Sequence, residues 1–526
     1  MLKVFDQTTK ETKTLYSDVI SDRMVSRVLL MVALAAGAFV RIWKLNAMGY
    51  NTDEAIYSGQ AAAIAGIAGL KDIFPVFRAH PLFVQFLLSL VYRQEFNDLA
   101  GRLLAVVAGL GTVFVTYLIA KNLYGYLAGS LAALFIAVMP YHVLVSRQML
   151  LDGPMVFFAT LTMYTLVRFA KSKRSEWLIA SGSAMGLTFL SKETSIVLIG
   201  AIFAFLALSP DVRVRIKDLL FTVLAFGLVV APFPAALFLS AGGSSTGLNY
   251  LTWQLFRRPN HEWTFYIATL PEYLGVLLLF SAIFGMVVFW KPRSWKKNLL
   301  LSWIVVYFGF FQIWPVKGFQ YLLPLAPVVA VLAARTFGKL LDSSNLITLP
   351  DSLRWLCSRK WISWVVIGLT VVTMSITSWQ RIQPEISSTF LAGTGGVAGG
   401  REAGTWIKAN IPEFARIMTI GPSMANILQF YGERHAYGLS VSPNPLHRNP
   451  SYTPILNPDL QIRRTDINYI VWDSYSASRS PFFSDKIMSY VKKYNGTAVH
   501  TETISVPDGQ GNQVQKPVIV IYEVHP

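Results

Sequence analysis

PLFVQFLLSLVY, residues 81–92, is apolar and uncharged but only twelve residues long. A helix that crosses a bilayer needs about 20 apolar residues. Whether this segment crosses decides on which side of a membrane every later loop falls. Counted as a crossing, it sends the basic turns KSKRSEW (171–177), DVRVRIKD (211–218) and KPRSWKKN (291–298) to the outside, against the tendency of Lys and Arg to collect in cytoplasmic loops. It therefore reads as a re-entrant or interfacial helix.

The chain around it has 526 residues, 53% of them hydrophobic and 14% charged, with a mean hydropathy of +0.45. This is the composition of an integral membrane protein. The formal charge of +17 comes from 46 Lys and Arg against 29 Asp and Glu. These cations sit in short turns between apolar runs, so the basicity reads as membrane topology and not as a nucleic-acid footprint. A single cysteine, Cys357, leaves no intrachain disulfide framework. The opening MLKVFDQTTKETKTLYSDVISDRM is polar, and the apolar run after it lacks a small-residue cleavage site, so it reads as a retained anchor.

Eleven segments qualify as spans: 26–45, 99–120, 127–146, 153–170, 177–191, 194–209, 218–240, 270–290, 299–315, 321–338 and 361–380. A cytoplasmic tail over 1–25 puts KNLYG (121–125), the three basic turns and the stretch from Lys339 to Lys360 inside. The loops 46–98 and 241–269, the short turns at Arg147–Asp152, Ser191–Thr194 and Pro315–Gln320, and everything after Trp379 then lie outside. The membrane domain runs over 26–380, and the Gly-rich stretch ending in LAGTGGVAGG makes 381–400 a linker. From 401 to 526 apolar helical and strand patterns alternate: REAGTWIKANIP, PSMANILQFYG and SDKIMSYVKKY as helices, ARIMTIG, INYIVWD and PVIVIYEVH as strands. That pattern predicts an extracytoplasmic α/β domain.

The unusual polar residues fall on the outer face. Asp53 and Glu54 open DEAIYSGQAAAIAGIAG, where they can cap a helix lying along the surface. Asp152 in SRQMLLDGPMVFF can likewise start a helix with Pro in its first turn. Lys192 in FLSKETS can snorkel to the interface or meet a phosphate. Arg147 and Lys317 add cations to the same face. Acids and bases converging there predict a polar cavity open to one side of the membrane.

The ordered set DEAIY, RAHPLFVQ, LLDGP, GLTFLSKE and QYLLPLAPVVAVLAA resembles the GT-C glycosyltransferases of the protein O-mannosyltransferase and aminoarabinose transferase group, over residues 26–340. The resemblance implies an α-helical polytopic fold with about eleven transmembrane helices. It also implies inverting transfer of a sugar from a polyprenyl-phosphate carrier, dolichyl or undecaprenyl, to a protein, lipid or glycan acceptor outside the membrane. By position, Asp53 matches the family's catalytic base, Glu54 its companion and Asp152 the second acid. His80 matches the element near the lipid phosphate, and Lys192 would bind that phosphate.

Some positions depart from the family pattern. Gln320 stands before Tyr321 where the family often has Arg, so a phosphate contact there weakens or passes to Lys317. One proline follows His80 where relatives often have two. The loop FRRPNHEWTFYIATLPEYLG carries His261 and Glu262, which could touch an acceptor or contribute to a divalent metal site, although two residues do not make one. The alternative classes are a transporter or flippase, which should carry charges near span centres, and a non-catalytic glycolipid-binding protein.

Overall fold

A computed structural model of the chain describes residues 23–74, 80–239, 245–289, 294–342, 359–384, 397–507 and 512–526. The N-terminal tail and most of the Gly-rich linker lie outside the described residues. The deciding segment forms one short helix, Phe83–Tyr92. At 1.5 Å per residue its ten residues reach about 15 Å, half a hydrocarbon core.

The described helices are α1 (Arg23–Ile42), α2 (Thr52–Ala65), α3 (Ala68–Lys71), α4 (Phe83–Tyr92), α5 (Asp98–Tyr124), α6 (Tyr126–Val138), α7 (Pro140–Val145), α8 (Asp152–Ser172), α9 (Ser175–Ser191), α10 (Val197–Leu208), α11 (Ile216–Val230), α12 (Pro232–Leu239), α13 (Ser245–Leu255), α14 (Phe265–Leu274), α15 (Val276–Val288), α16 (Trp295–Ile313), α17 (Leu325–Leu341) and α18 (Lys360–Arg381), followed by α19 (Gly400–Asn410), α20 (Pro422–Gly432), α21 (Pro458–Arg463), α22 (Ser474–Arg479) and α23 (Pro481–Lys493). Among the described residues each of the eleven apolar segments is mainly helical. By length and composition α1, α5, α8 and α18 can each cross a membrane alone, and the bent pairs α11–α12 (42°) and α14–α15 (102°) can cross as broken spans.

The breaks have local causes. Segment 127–146 divides where Met139 turns extended before Pro140, which opens α7. Segment 270–290 turns sharply at Gly275, whose φ of 92° favours glycine. A Cβ there would also meet the Met374 side chain at 2.7 Å.

The C-terminal α/β domain is built on a five-stranded sheet of order β2-β1-β3-β5-β4, from β1 (Arg416–Thr419), β2 (His435–Gly438), β3 (Tyr469–Asp473), β4 (Thr497–Pro507) and β5 (Gln513–Glu523). The first three strands are parallel and the β5–β4 hairpin is antiparallel. Its three expected helices and three expected strands all form. The pattern missed β2, which has four residues, and β4, an edge strand whose stretch HTETIS (500–505) presents polar groups on both faces.

This domain rests on the loop that carries Asp53. The Tyr431 hydroxyl, from α20, donates to Asp98 Oδ2 at 2.5 Å and accepts from the Tyr50 amide at 2.6 Å. Arg401 pairs with the same carboxylate at 3.1 Å, and Asn426 Nδ2 donates to Thr52 Oγ1 at 3.1 Å.

Candidate active site

Asn51 starts α2 and fixes where Asp53 stands. Its Oδ1 accepts from the amides of Asp53 and Glu54, both at 3.0 Å, while Glu54 Oε2 accepts from the Asn51 amide at 3.1 Å. This capping box leaves the two acids in different surroundings. Both Glu54 oxygens are committed: Arg102 Nε and the Met149 amide donate to Oε1 at 2.8 and 2.9 Å, and Arg102 Nη2 donates to Oε2 at 2.8 Å. Glu54 and Arg102 have no exposed side-chain area. Arg102 also binds the carbonyls of Leu45, Met48 and Gly49, so the pair staples the incoming loop to α5. Asp53 points instead into a cavity of about 390 Å³.

His80, Lys192, Lys317 and Tyr321 line that cavity with Asp53. Lys192, at the end of α9, donates to Asp152 Oδ1 at 2.9 Å and Oδ2 at 2.8 Å, and its Nζ lies 5.2 Å from the Tyr321 ring centre. Burial pulls the Lys192 ammonium down, but Asp152 outweighs it and keeps lysine above its ordinary value. Asp152 is thus a support behind Lys192. An ammonium has three donors and the carboxylate takes two, so one remains for an anion.

Burial pushes the Asp53 carboxyl up, Lys192 pulls it back, and Asp152 and Glu54 raise it again. The balance favours a carboxylate more basic than usual. His80 Nδ1 lies 3.1 Å from Glu193 and its ring meets Tyr250 edge-on at 4.6 Å. Lys317 Nζ donates to the carbonyls of Gln312 and Trp314 at 2.8 and 3.2 Å beside the faces of Trp263 and Tyr266.

Arg147 stands apart from the other expected cations. It is buried, its Nη1 donates to the carbonyls of Val40 and Arg41 at 2.8 and 2.9 Å, and it is not part of the cavity wall. His261 stacks on Phe265 at 4.1 Å and is not part of that wall, although its neighbour Asn260 is. Among the described residues no three His, Cys, Asp or Glu converge as metal ligands, so the residues described here do not build a metal centre around His261 and Glu262.

Several wall residues carry no signal in the sequence. Tyr57 and Gln60 sit one and two turns beyond Asp53. Tyr250, Trp253, Gln254 and Arg257 come from α13 and its end, and Asn449, Ser451 and Tyr452 come from the C-terminal domain. Arg102 had a usable signal, since an ionisable residue near the start of an apolar span asks for a partner.

Residues 79–238 match the sequence family described as dolichyl-phosphate-mannose-protein mannosyltransferase. Two proteins of Bacillus subtilis (strain 168), each named as a candidate mannosyltransferase, are similar over short stretches. YycA is 36% identical over 86 residues, 16% of this chain and 13% of that protein. YkcB is 27% identical over 131 residues, 24% of this chain and 18% of that protein. Among solved structures, ArnT from Cupriavidus metallidurans, bound to undecaprenyl phosphate, superposes with a TM-score of 0.63 at 13% identity, covering 96% of this chain and 98% of that one. The apo Archaeoglobus fulgidus oligosaccharyltransferase superposes with a TM-score of 0.57 at 13% identity, covering 93% and 74%. The likeness to these structures is one of fold: the chain has the GT-C fold of membrane glycosyltransferases.

Proposed function

We propose that this GT-C chain is an inverting glycosyltransferase that moves a sugar from a polyprenyl-phosphate carrier to an acceptor hydroxyl on the non-cytoplasmic face of the membrane. The observation that carries the reading is one cavity that holds a basic carboxylate, Asp53, and an ammonium already oriented by a second acid, Lys192 on Asp152. On this reading the N-terminus is cytoplasmic and residues 401–526 cover the site from outside.

Asp53 accepts the proton of the acceptor hydroxyl as its oxygen attacks the anomeric carbon. The bond from that carbon to the carrier phosphate oxygen breaks, and its electron pair leaves on the phosphate. Lys192 meets the charge that grows on that oxygen with its remaining N–H, and its position is fixed before the reaction by Asp152. The departing phosphate needs little protonation, so a fixed cation serves better than an acid. His80, held by Glu193, stands on the same wall and can donate to a second phosphate oxygen. Glu54 acts through the loop, as a positioning residue for Asp53.

The test is transfer of radiolabelled sugar from a panel of polyprenyl-phosphate sugars by membranes containing wild type or Asp53→Asn. Labelled product with wild type and its loss with a folded Asp53→Asn protein are expected. Equal transfer by both proteins, or no donor consumed by either, would overturn the reading.

A further inference from the structure

Three neutral residues of the C-terminal domain, Asn449, Ser451 and Tyr452, form part of the wall around Asp53. They belong to the excursion between β2 and α21, nearly four hundred positions along the chain from Asp53. The Tyr452 hydroxyl meets Asn426, and Asn426 donates to Thr52, the residue before Asp53. The excursion is thus tied to the start of α2. Just before it, the short turn Pro445–His447 packs on α13, which supplies Trp253 and Gln254 from across the cavity.

The cavity holds Lys192, Lys317 and Arg257 as cations, Arg257 acts on the Tyr452 phenol, and the C-terminal loop adds an amide and two hydroxyls beside the aromatic faces of α13. An in-line displacement puts the attacking hydroxyl and its base on the side of the sugar opposite the departing phosphate. Tyr452, whose phenol feels the charge of Asp53, is therefore among the groups that an acceptor meets. Building on the transferase reading of this site, we propose that the loop Asn449–Tyr452 is the acceptor subsite, and that it takes the hydroxyl-bearing end of a carbohydrate, with Tyr452 as a binding residue. Aromatic faces and amide donors suit a sugar's C–H and O–H surfaces. Burial, and then the charge of Asp53, push the Tyr452 phenol up to about 12, so it remains a donor at any assay pH near neutrality.

The experiment uses the full-length protein in nanodiscs with the donor that the panel identifies. The acceptor probes are the methyl glycosides of mannose, glucose, galactose and N-acetylglucosamine, set against a Ser/Thr-rich peptide. Transfer to a glycoside is expected, with the acceptor KM raised about tenfold in Tyr452→Phe and in Asn449→Ala and the donor KM within about twofold of wild type. Hydrogen exchange over residues 445–455 should also slow when the preferred glycoside is present. Transfer to the peptide alone, or an unchanged acceptor KM in both variants, would overturn this inference and leave the transferase reading standing. Failure of wild type to consume any donor would remove both.

Discussion

Lys192 and Asp152 form a two-point ion pair, 2.9 and 2.8 Å from Nζ to the two carboxylate oxygens, with side-chain exposures of only 9% and 3%. The two residues come from different helices, 40 positions apart. Each holds a charge that the interior would otherwise reject.

Breaking this pair from either side strands a buried charge and should cost stability, while the losses in kcat should differ. Asp152→Ala leaves a buried ammonium unpaired, at a cost of about 3–5 kcal/mol, and should lower the unfolding temperature markedly. Lys192→Ala should lower kcat by about 10²–10³-fold, the scale of a lost preorganised charge at a developing anion. Asp152→Asn should keep the shape and lose activity less than Lys192→Ala. Thermal unfolding in detergent and labelled transfer are the two measurements. An active Lys192→Ala protein would contradict the role given to this cation.

Asp53 should reveal itself in the pH profile. Burial holds its proton to higher pH than an ordinary carboxyl, whose value is 3.8, and only the deprotonated form can act as base. The rate should therefore rise with pH, with an apparent pKa above 3.8, and Asp53→Asn should lower kcat by about 10²–10⁴-fold and abolish that limb. A profile with the same acidic limb in wild type and Asp53→Asn would assign the titration elsewhere.

Glu54 and Arg102 are a structural unit, and their removal should read as stability first. Glu54→Gln and Arg102→Met each strand a fully buried partner, which typically costs about 3–5 kcal/mol. The double variant should lose less than the sum of the two, because no lone charge remains. Additive losses in a double-mutant cycle would show that the two side chains do not depend on each other.

Much of this organisation can be read from the sequence because membranes simplify the physics. Apolar run length locates the eleven helical segments, and the shortness of residues 81–92 anticipates α4. The breaks at Pro140 and Gly275 are visible as residues, yet the 102° turn between α14 and α15 depends on what packs against them. In the site, Asp53, His80, Lys192, Lys317 and Tyr321 share one cavity, whereas Arg147 turns to backbone carbonyls. The sequence pattern around Arg147 equals that of a binding cation, and only its neighbours tell the two apart. Tyr452 was hidden for another reason: no local period links a Pro- and Ser-rich excursion to a helix start so far away in the chain.

Asp473 offers a pH test within the C-terminal domain. It ends β3 and caps α22, with Oδ1 accepting from the Ser476 amide at 2.6 Å, while the buried Oδ2 has no protein partner. Burial, partly offset by these bonds to Ser476, pushes its carboxyl from 3.8 up to about 6. The folded state thus holds this proton more tightly than the unfolded chain does. The sign follows: below about pH 4 both states are protonated and Asp473 costs nothing. Between about pH 4 and 6 the cost of ionising it grows, and above pH 6 it stays at about 2–3 kcal/mol. Asp473→Asn keeps the capping oxygen and removes the charge. It should slow hydrogen exchange in residues 469–479 of the full-length protein at pH 7.5. After correction for intrinsic rates, that protection should shrink toward zero at pH 4.5. The same gain at both pH values would mean that Asp473 does not titrate in this range.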